Sequence, residues 1–184
     1  RVVVGRDARE SGRALADAVS AGARESGCDV ERLGRVATPT LARAVGWRTA
    51  DAGVAVTGSH NPPTDNGLKL WMPTGRAFGP ERRRAIEGRI RAAAWDLAPA
   101  TAHGVEQRVE DVTGRHRRRL VDRHAETSLA VVVDVGNGAG RVTADALADL
   151  GCDVTTLNAQ PDGRFPGRES EPTAESLRDL GRTV

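Results

Sequence analysis

The chain has 184 residues, enough for one large or two small domains, and 39% of them are hydrophobic. Aromatic residues make up only 3%, with no tyrosine, so a core must be built from Val, Leu and Ala, as in α/β proteins. A formal net charge of +2 is small for this length and gives no general argument for nucleic-acid or membrane partners, and none is expected.

Val2, Val3 and Val4 predict a buried strand, broken by Gly5-Arg6-Asp7. Ser11 is placed to cap a helix over 12–25, with Leu15, Ala18, Val19 and Ala23 on its apolar face and Gly27 at its end. A strand over 28–33 follows, then a helix over 38–50 that Pro39 opens. Residues 52–56 read as a short strand and 68–71 as another, separated by a polar loop. Residues 80–94 predict an amphipathic, arginine-rich helix, and 96–111 show no clear periodicity. A charged helix over 112–124 precedes the strongest strand of the chain, Leu129-Ala-Val-Val-Val-Asp-Val135. Gly136-Asn137-Gly138-Ala139-Gly140 turns it into a helix over 141–150, followed by a strand over 152–157. A Pro/Gly loop over 158–172 leads to a last helix starting near Thr173, where a capping hydroxyl meets Glu175.

Alternating strands and helices predict mixed sheets sandwiched between helices. Gly-Cys-Asp-Val occurs twice, at 27–30 and 151–154, each time after a helix and opening a strand. This predicts two α/β domains of similar plan, 1–120 and 121–184, the second incomplete. Both ends read as cut within a longer chain. Cys28 and Cys152 read as reduced, buried small hydrophobes. No apolar run is long enough to span a bilayer and no leader is read, so a cytoplasmic location is expected.

The chemistry concentrates in Thr57-Gly58-Ser59-His60-Asn61-Pro62-Pro63-Thr64-Asp65-Asn66-Gly67-Leu68-Lys69. Of 27 basic residues, all but Lys69 are arginine. Lysine can lose its proton in tuned surroundings, whereas arginine in practice cannot. Gly58 allows a tight approach, Pro62-Pro63 stiffens the return, and Asn66-Gly67 turns the chain back. Such a loop can present the Ser59 hydroxyl at a sheet end with His60 and Lys69 near it. A serine is a weak nucleophile without a base or an electrophilic partner.

This loop resembles the phosphoserine loop of the α-D-phosphohexomutases, the phosphomannomutase/phosphoglucomutase enzymes. Gly5-Arg6-Asp7-Ala8-Arg9, Asp134-Val135-Gly136-Asn137-Gly138-Ala139-Gly140, and Pro161-Asp162-Gly163-Arg164-Phe165-Pro166-Gly167 with Glu171-Pro172-Thr173 resemble further family segments, in the family's order. The likeness spans the whole chain. It implies that Ser59 carries a phosphoryl group exchanged with hexose 1- and 6-phosphates through a bisphosphate. It makes Lys69 the acid/base, with His60 and Asn61 orienting the loop and Arg6 a candidate phosphate contact. It also implies Mg²⁺, held through the Ser59 phosphate, and an activator of the glucose 1,6-bisphosphate type. The family's Asp-Gly-Asp-x-Asp-Arg metal loop does not occur here, so these residues are expected to be inactive alone. Phosphoglucosamine mutase is the alternative within the family, although Gly58 fits the mannose/glucose branch better. A non-catalytic phosphosugar-binding fragment is the alternative outside it.

Other signals take plainer readings. Gly136–Gly140 lacks the dinucleotide-binding spacing and reads as a tight turn. The arginines at 82–84 and 115–119 read as solvated helix faces. His103, His116 and His124 have no metal-ligand spacing. Asp7 is expected to anchor a loop by pairing with a nearby arginine. Ser59 with His60 as a hydrolase pair is disfavoured, because no nucleophile elbow is present.

Overall fold

The computed structural model describes residues 1–184. Its first sheet comprises Val2–Arg6 (β1), Val30–Arg35 (β2), Ala52–Val56 (β3), Leu68–Trp71 (β4) and Glu106–Arg108 (β5), in the order β4-β3-β1-β2-β5. β1 pairs in parallel with both β2 and β3, and β2 with β5, while β4 runs antiparallel to β3. Period-two alternation sends side chains to opposite faces. Gly12–Glu25 (α1) covers one face, where Ala16 joins Val4, Val30, Val54 and Val56. Thr38–Trp47 (α2) covers the other, where Leu41, Ala44 and Val45 meet Val3, Leu33, Val36 and Ala55. Leu41 is fully buried there, a burial that contributes about 1.5–3 kcal/mol.

Pro80–Arg91 (α3) lies beside β4 and has no buried residue. Val112–Val121 (α4) packs on α2 and on the second domain. That domain begins with Ala130–Asp134 (β6), Val142–Asp149 (α5) and Asp153–Leu157 (β7), with β6 parallel to β7, and ends with Arg178–Thr183 (α6). Its β6-α5-β7 unit repeats the plan of β1-α1-β2. Gly27 and Gly151 both take positive φ, 79° and 94°, and each ends a helix before its parallel strand. The fold is thus mixed α/β, with the two related units expected from the repeated Gly-Cys-Asp-Val. No helix is long and apolar enough to cross a membrane, and both cysteines are free.

Several boundaries differ from expectation for local reasons. Residues 106–108 form β5, whose Glu-Gln-Arg carries no apolar pattern because an edge strand is held by backbone pairing to β2. The last helix starts at Arg178, since Thr173 and Ser176 close a turn on each other (2.9 and 3.1 Å). Ser11 makes no side-chain cap on α1; its hydroxyl instead accepts from Asn66 Nδ2 at 3.0 Å. Cys28 is half-buried rather than buried.

From β1 the chain crosses to β2 on one side, then returns to β3 on the other side of β1. The loops after β1 and β3 therefore diverge at the carboxyl ends of neighbouring parallel strands, the place where α/β sheets open a ligand crevice.

Candidate active site

Those two loops are tied together by Asp7 and Arg9. The Asp7 carboxylate accepts from the Arg9 backbone (3.0 Å), Arg9 Nε (3.2 Å) and the Thr57 hydroxyl (2.7 Å). Thr57 in turn accepts from the Ser59 backbone N–H at 3.0 Å, so Asp7 anchors the loop as expected from sequence. The Arg9 side chain is fully buried. Its guanidinium donates to the carbonyls of Asn61 (2.7 Å), Asp65 (2.8 Å), Ser59 (3.2 Å) and Pro62. With the bond from Nε, all five guanidinium N–H groups have an acceptor. Gly58 is required by this approach, because a Cβ there would lie 2.6 Å from Arg9 Cζ and 2.7 Å from the Asp65 carbonyl.

Ser59 itself is exposed and sits in the left-handed region at φ 56°, which costs about 1–2 kcal/mol for a residue with a Cβ. Such a conformation persists where its surroundings over-determine it, here through Thr57 on one side and Arg9 on the other.

The second domain closes the crevice. Asp134 accepts from Gly136 N (2.8 Å), Asn158 Nδ2 (3.0 Å) and Arg168 Nε (2.6 Å). Burial pushes its carboxyl up, but the bonds from Asn158, Arg168 and Gly136 outweigh that and hold it below the usual range. Asn137, buried at φ 54°, donates to the Gln160 carbonyl and accepts from Gly167 N. These ties fix the 158–172 loop so that Phe165 lies 5.0 Å from the Arg9 guanidinium. The Ser170 hydroxyl lies 2.8 Å and 2.6 Å from the carbonyls of His60 and Asn61. Gly163 packs on the β1 loop so closely that a Cβ would lie 2.5 Å from the Ala8 carbonyl.

A cavity of about 320 Å³ remains between the domains. Ser59, His60, Thr57 and Asp7 line it from the first domain, and the Gly138–Gly140 turn and Phe165 from the second. His60 Nε2 stands 3.4 Å from Glu171, both half-exposed. The Asn61 backbone carbonyl is engaged by Arg9 and Ser170, while its side chain is exposed. Lys69, on β4 opposite Ala55, lines a separate cavity of about 580 Å³ with Leu68, Trp71 and Phe78. Thr38 lines both cavities.

Arg6 is not brought to Ser59. Its side chain passes the start of α1, 3.5 Å from the Cβ position of Gly12, and donates to the Asp7 carbonyl at 3.0 Å. Burial, then Arg35 and Arg13, holds its pKa below the usual arginine value. No group of three or more His, Cys, Asp or Glu side chains is arranged to hold a metal ion. Asp7, the carboxylate that lines the Ser59 cavity, is engaged by Arg9 and Thr57. The residues present therefore do not complete a magnesium site.

The sequence reading did not single out Arg9, Phe165 or Ser170. Arg9 had a usable signal, an arginine two residues after an acid in the loop that ends β1. Phe165 had none beyond its family segment and Ser170 none at all, since their contacts are between domains.

Family models fit both units. The model of phosphoglucomutase/phosphomannomutase alpha/beta/alpha domain I matches residues 1–96, and that of domain II matches residues 109–184. The chain belongs to the phosphoglucomutase/phosphomannomutase family. A probable phosphoglucosamine mutase of Methanopyrus kandleri is 44% identical over 100% of this chain and 41% of its own length. One of Methanocella arvoryzae is 41% identical, over 100% of this chain and 42% of its own length. A crystal structure of a phosphoglucomutase/phosphomannomutase family protein from Burkholderia thailandensis superposes with a TM-score of 0.87 at 32% identity, over 99% of this chain and 41% of that one. The chain thus spans about two fifths of the relatives it matches.

Proposed function

We propose that this chain is the phosphoserine-bearing part of a phosphohexomutase. Ser59 Oγ carries a phosphoryl group. A hydroxyl of a hexose 1- or 6-phosphate attacks the phosphorus, forming the new O–P bond as the bond to Ser59 breaks. The bisphosphate reorients, and its other phosphate returns to Ser59. Lys69 is assigned the proton of the attacking hydroxyl, taking it and later returning it, with the sugar reaching past Thr38. His60 and Asn61 orient the loop. Phosphoryl transfer depends on positioning and charge neutralisation more than on covalent chemistry by the protein, and positioning is what the Arg9 cradle supplies.

One observation carries this reading: an exposed, left-handed Ser59 on a loop whose carbonyls take up a fully buried arginine. An ordinary polar turn has no use for such bracing. Mg²⁺ and a glucose 1,6-bisphosphate-type activator belong to the proposal for a longer protein, as do phosphorylated hexose substrates and a cytoplasmic location. Because these residues complete no metal site, the 184-residue chain alone is expected not to turn over.

A second reading, phosphoglucosamine mutase, is favoured by the names of the curated relatives. Gly58 does not speak against it, since the approach of Arg9 and Asp65 accounts for the missing Cβ. Assaying a version extended at both ends to the length of its relatives, on glucosamine, glucose and mannose phosphates, separates the two. Conversion of none of them would refute both.

A further inference from the structure

Away from Ser59, on the face covered by α2 and α4, a cavity of about 280 Å³ is lined by Arg43, Trp47, His116, Arg119, Leu120 and Arg123. Two helices build it: α2 supplies Arg43 and Trp47, while His116, Arg119 and Leu120 come from α4, with Arg123 just beyond. The packing of its walls is defined. The Thr40 hydroxyl lies 2.8 Å from His116 Nδ1, and the His116 ring is tilted against Trp47 at 5.9 Å. The guanidinium groups of Arg115 and Arg119 stand over the Trp47 ring at 5.1 and 5.6 Å. Stacking on an indole pre-organises a guanidinium without using its N–H donors.

No carboxylate lines this cavity. Asp111 and Asp149 are ion-paired to Arg118 and Arg117; Asp122, at the C-terminal end of α4, does not line the cavity, and Arg43, Arg115, Arg119 and Arg123 have no ion-pair partner. Like charges gathered around a concavity repel one another and raise the local concentration of anions. Planar guanidinium groups match the oxygens of a phosphate bidentately. The volume suits a small molecule rather than a polymer groove.

We propose that this cavity binds a small phosphomonoester dianion at a site separate from Ser59. The sequence suggested only a solvated arginine face here; what it could not show is that Arg43 and Trp47 come from α2 to close the other wall.

The test is titration of inorganic phosphate and, separately, glucose 6-phosphate into the ¹⁵N-labelled chain at constant ionic strength. The indole N–H of Trp47, identified with Trp47→Phe, is the reporter. The expected result is a saturable shift of that signal. The apparent affinity should fall at least fivefold in both Arg119→Gln and Arg123→Gln, and stay within twofold in Ser59→Ala. Unchanged indole signals of Trp71 and Trp95 show that each variant is folded. A response reproduced by chloride alone, a loss under fivefold in either arginine variant, or loss of binding in Ser59→Ala would overturn the proposal.

Discussion

Replacing Arg9 with methionine tests whether one buried guanidinium holds the serine loop. The apolar stem is roughly preserved and five donors are removed. The lost bonds are those to the carbonyls of Ser59, Asn61, Pro62 and Asp65 and to the Asp7 carboxylate. The Arg9 side chain is 0% exposed and that of Asp7 15%, so water replaces the donors poorly. Breaking a buried ion pair by removing one partner costs about 3–5 kcal/mol, and each buried carbonyl left without a donor about 1–3 kcal/mol. The loop can relax toward solvent, because residues 59–65 are exposed, and this recovers part of the second cost. A net loss of about 3–5 kcal/mol is therefore expected, a large part of a typical domain stability of about 5–15 kcal/mol. Urea unfolding followed by circular dichroism measures it, and limited proteolysis should show faster cleavage within 59–66. Arg9→Lys should recover less than half, since three ammonium donors cannot span five acceptors. A loss below about 1 kcal/mol in Arg9→Met, with unchanged proteolysis, would refute the bracing role.

Three further outcomes follow from the geometry. Gly58→Ala forces a Cβ within 2.6 Å of Arg9 Cζ; a loss of about 1–3 kcal/mol by overpacking is expected, and an unchanged melting temperature would contradict it. Gly163→Ala drives a Cβ into the Ala8 carbonyl, so it should separate the domains while leaving the first sheet folded, seen as a larger radius of gyration in small-angle scattering. His116 is buried, and burial followed by Arg43 lowers its pKa. The unfolded chain then takes up the proton first, near the usual value of about 6.5. Stability should therefore hold above that pH and fall as pH drops from about 6.5 toward the lower folded value. His116→Gln should flatten this slope in urea midpoints measured between pH 7.5 and 5.5, and an identical slope would count against the assignment.

The sequence made the parallel units legible because valine-rich strands, glycine-ended helices and a repeated Gly-Cys-Asp-Val are local signals. It made the serine loop legible because its turn chemistry and reactive side chains lie within thirteen residues. What it hid are contacts between distant segments. Arg9 looked like one arginine among many until the fold placed it under a loop more than 50 residues away. Phe165 and Ser170 meet that loop only through interdomain packing. β5 was invisible because strand pairing at an edge needs no apolar alternation. Arg6 misled in the opposite way: it shares a motif with Asp7, yet strand alternation sends its side chain toward α1.

The most direct test of Ser59 as phosphoryl carrier uses a version extended at both ends to the length of its relatives. It is incubated with phosphorus-labelled glucose 1,6-bisphosphate and Mg²⁺, then mapped by peptide mass spectrometry. The account predicts label on the peptide containing Ser59, removed by an added hexose phosphate and absent in Ser59→Ala. Label on another residue, or none on Ser59 in a folded protein, would contradict it.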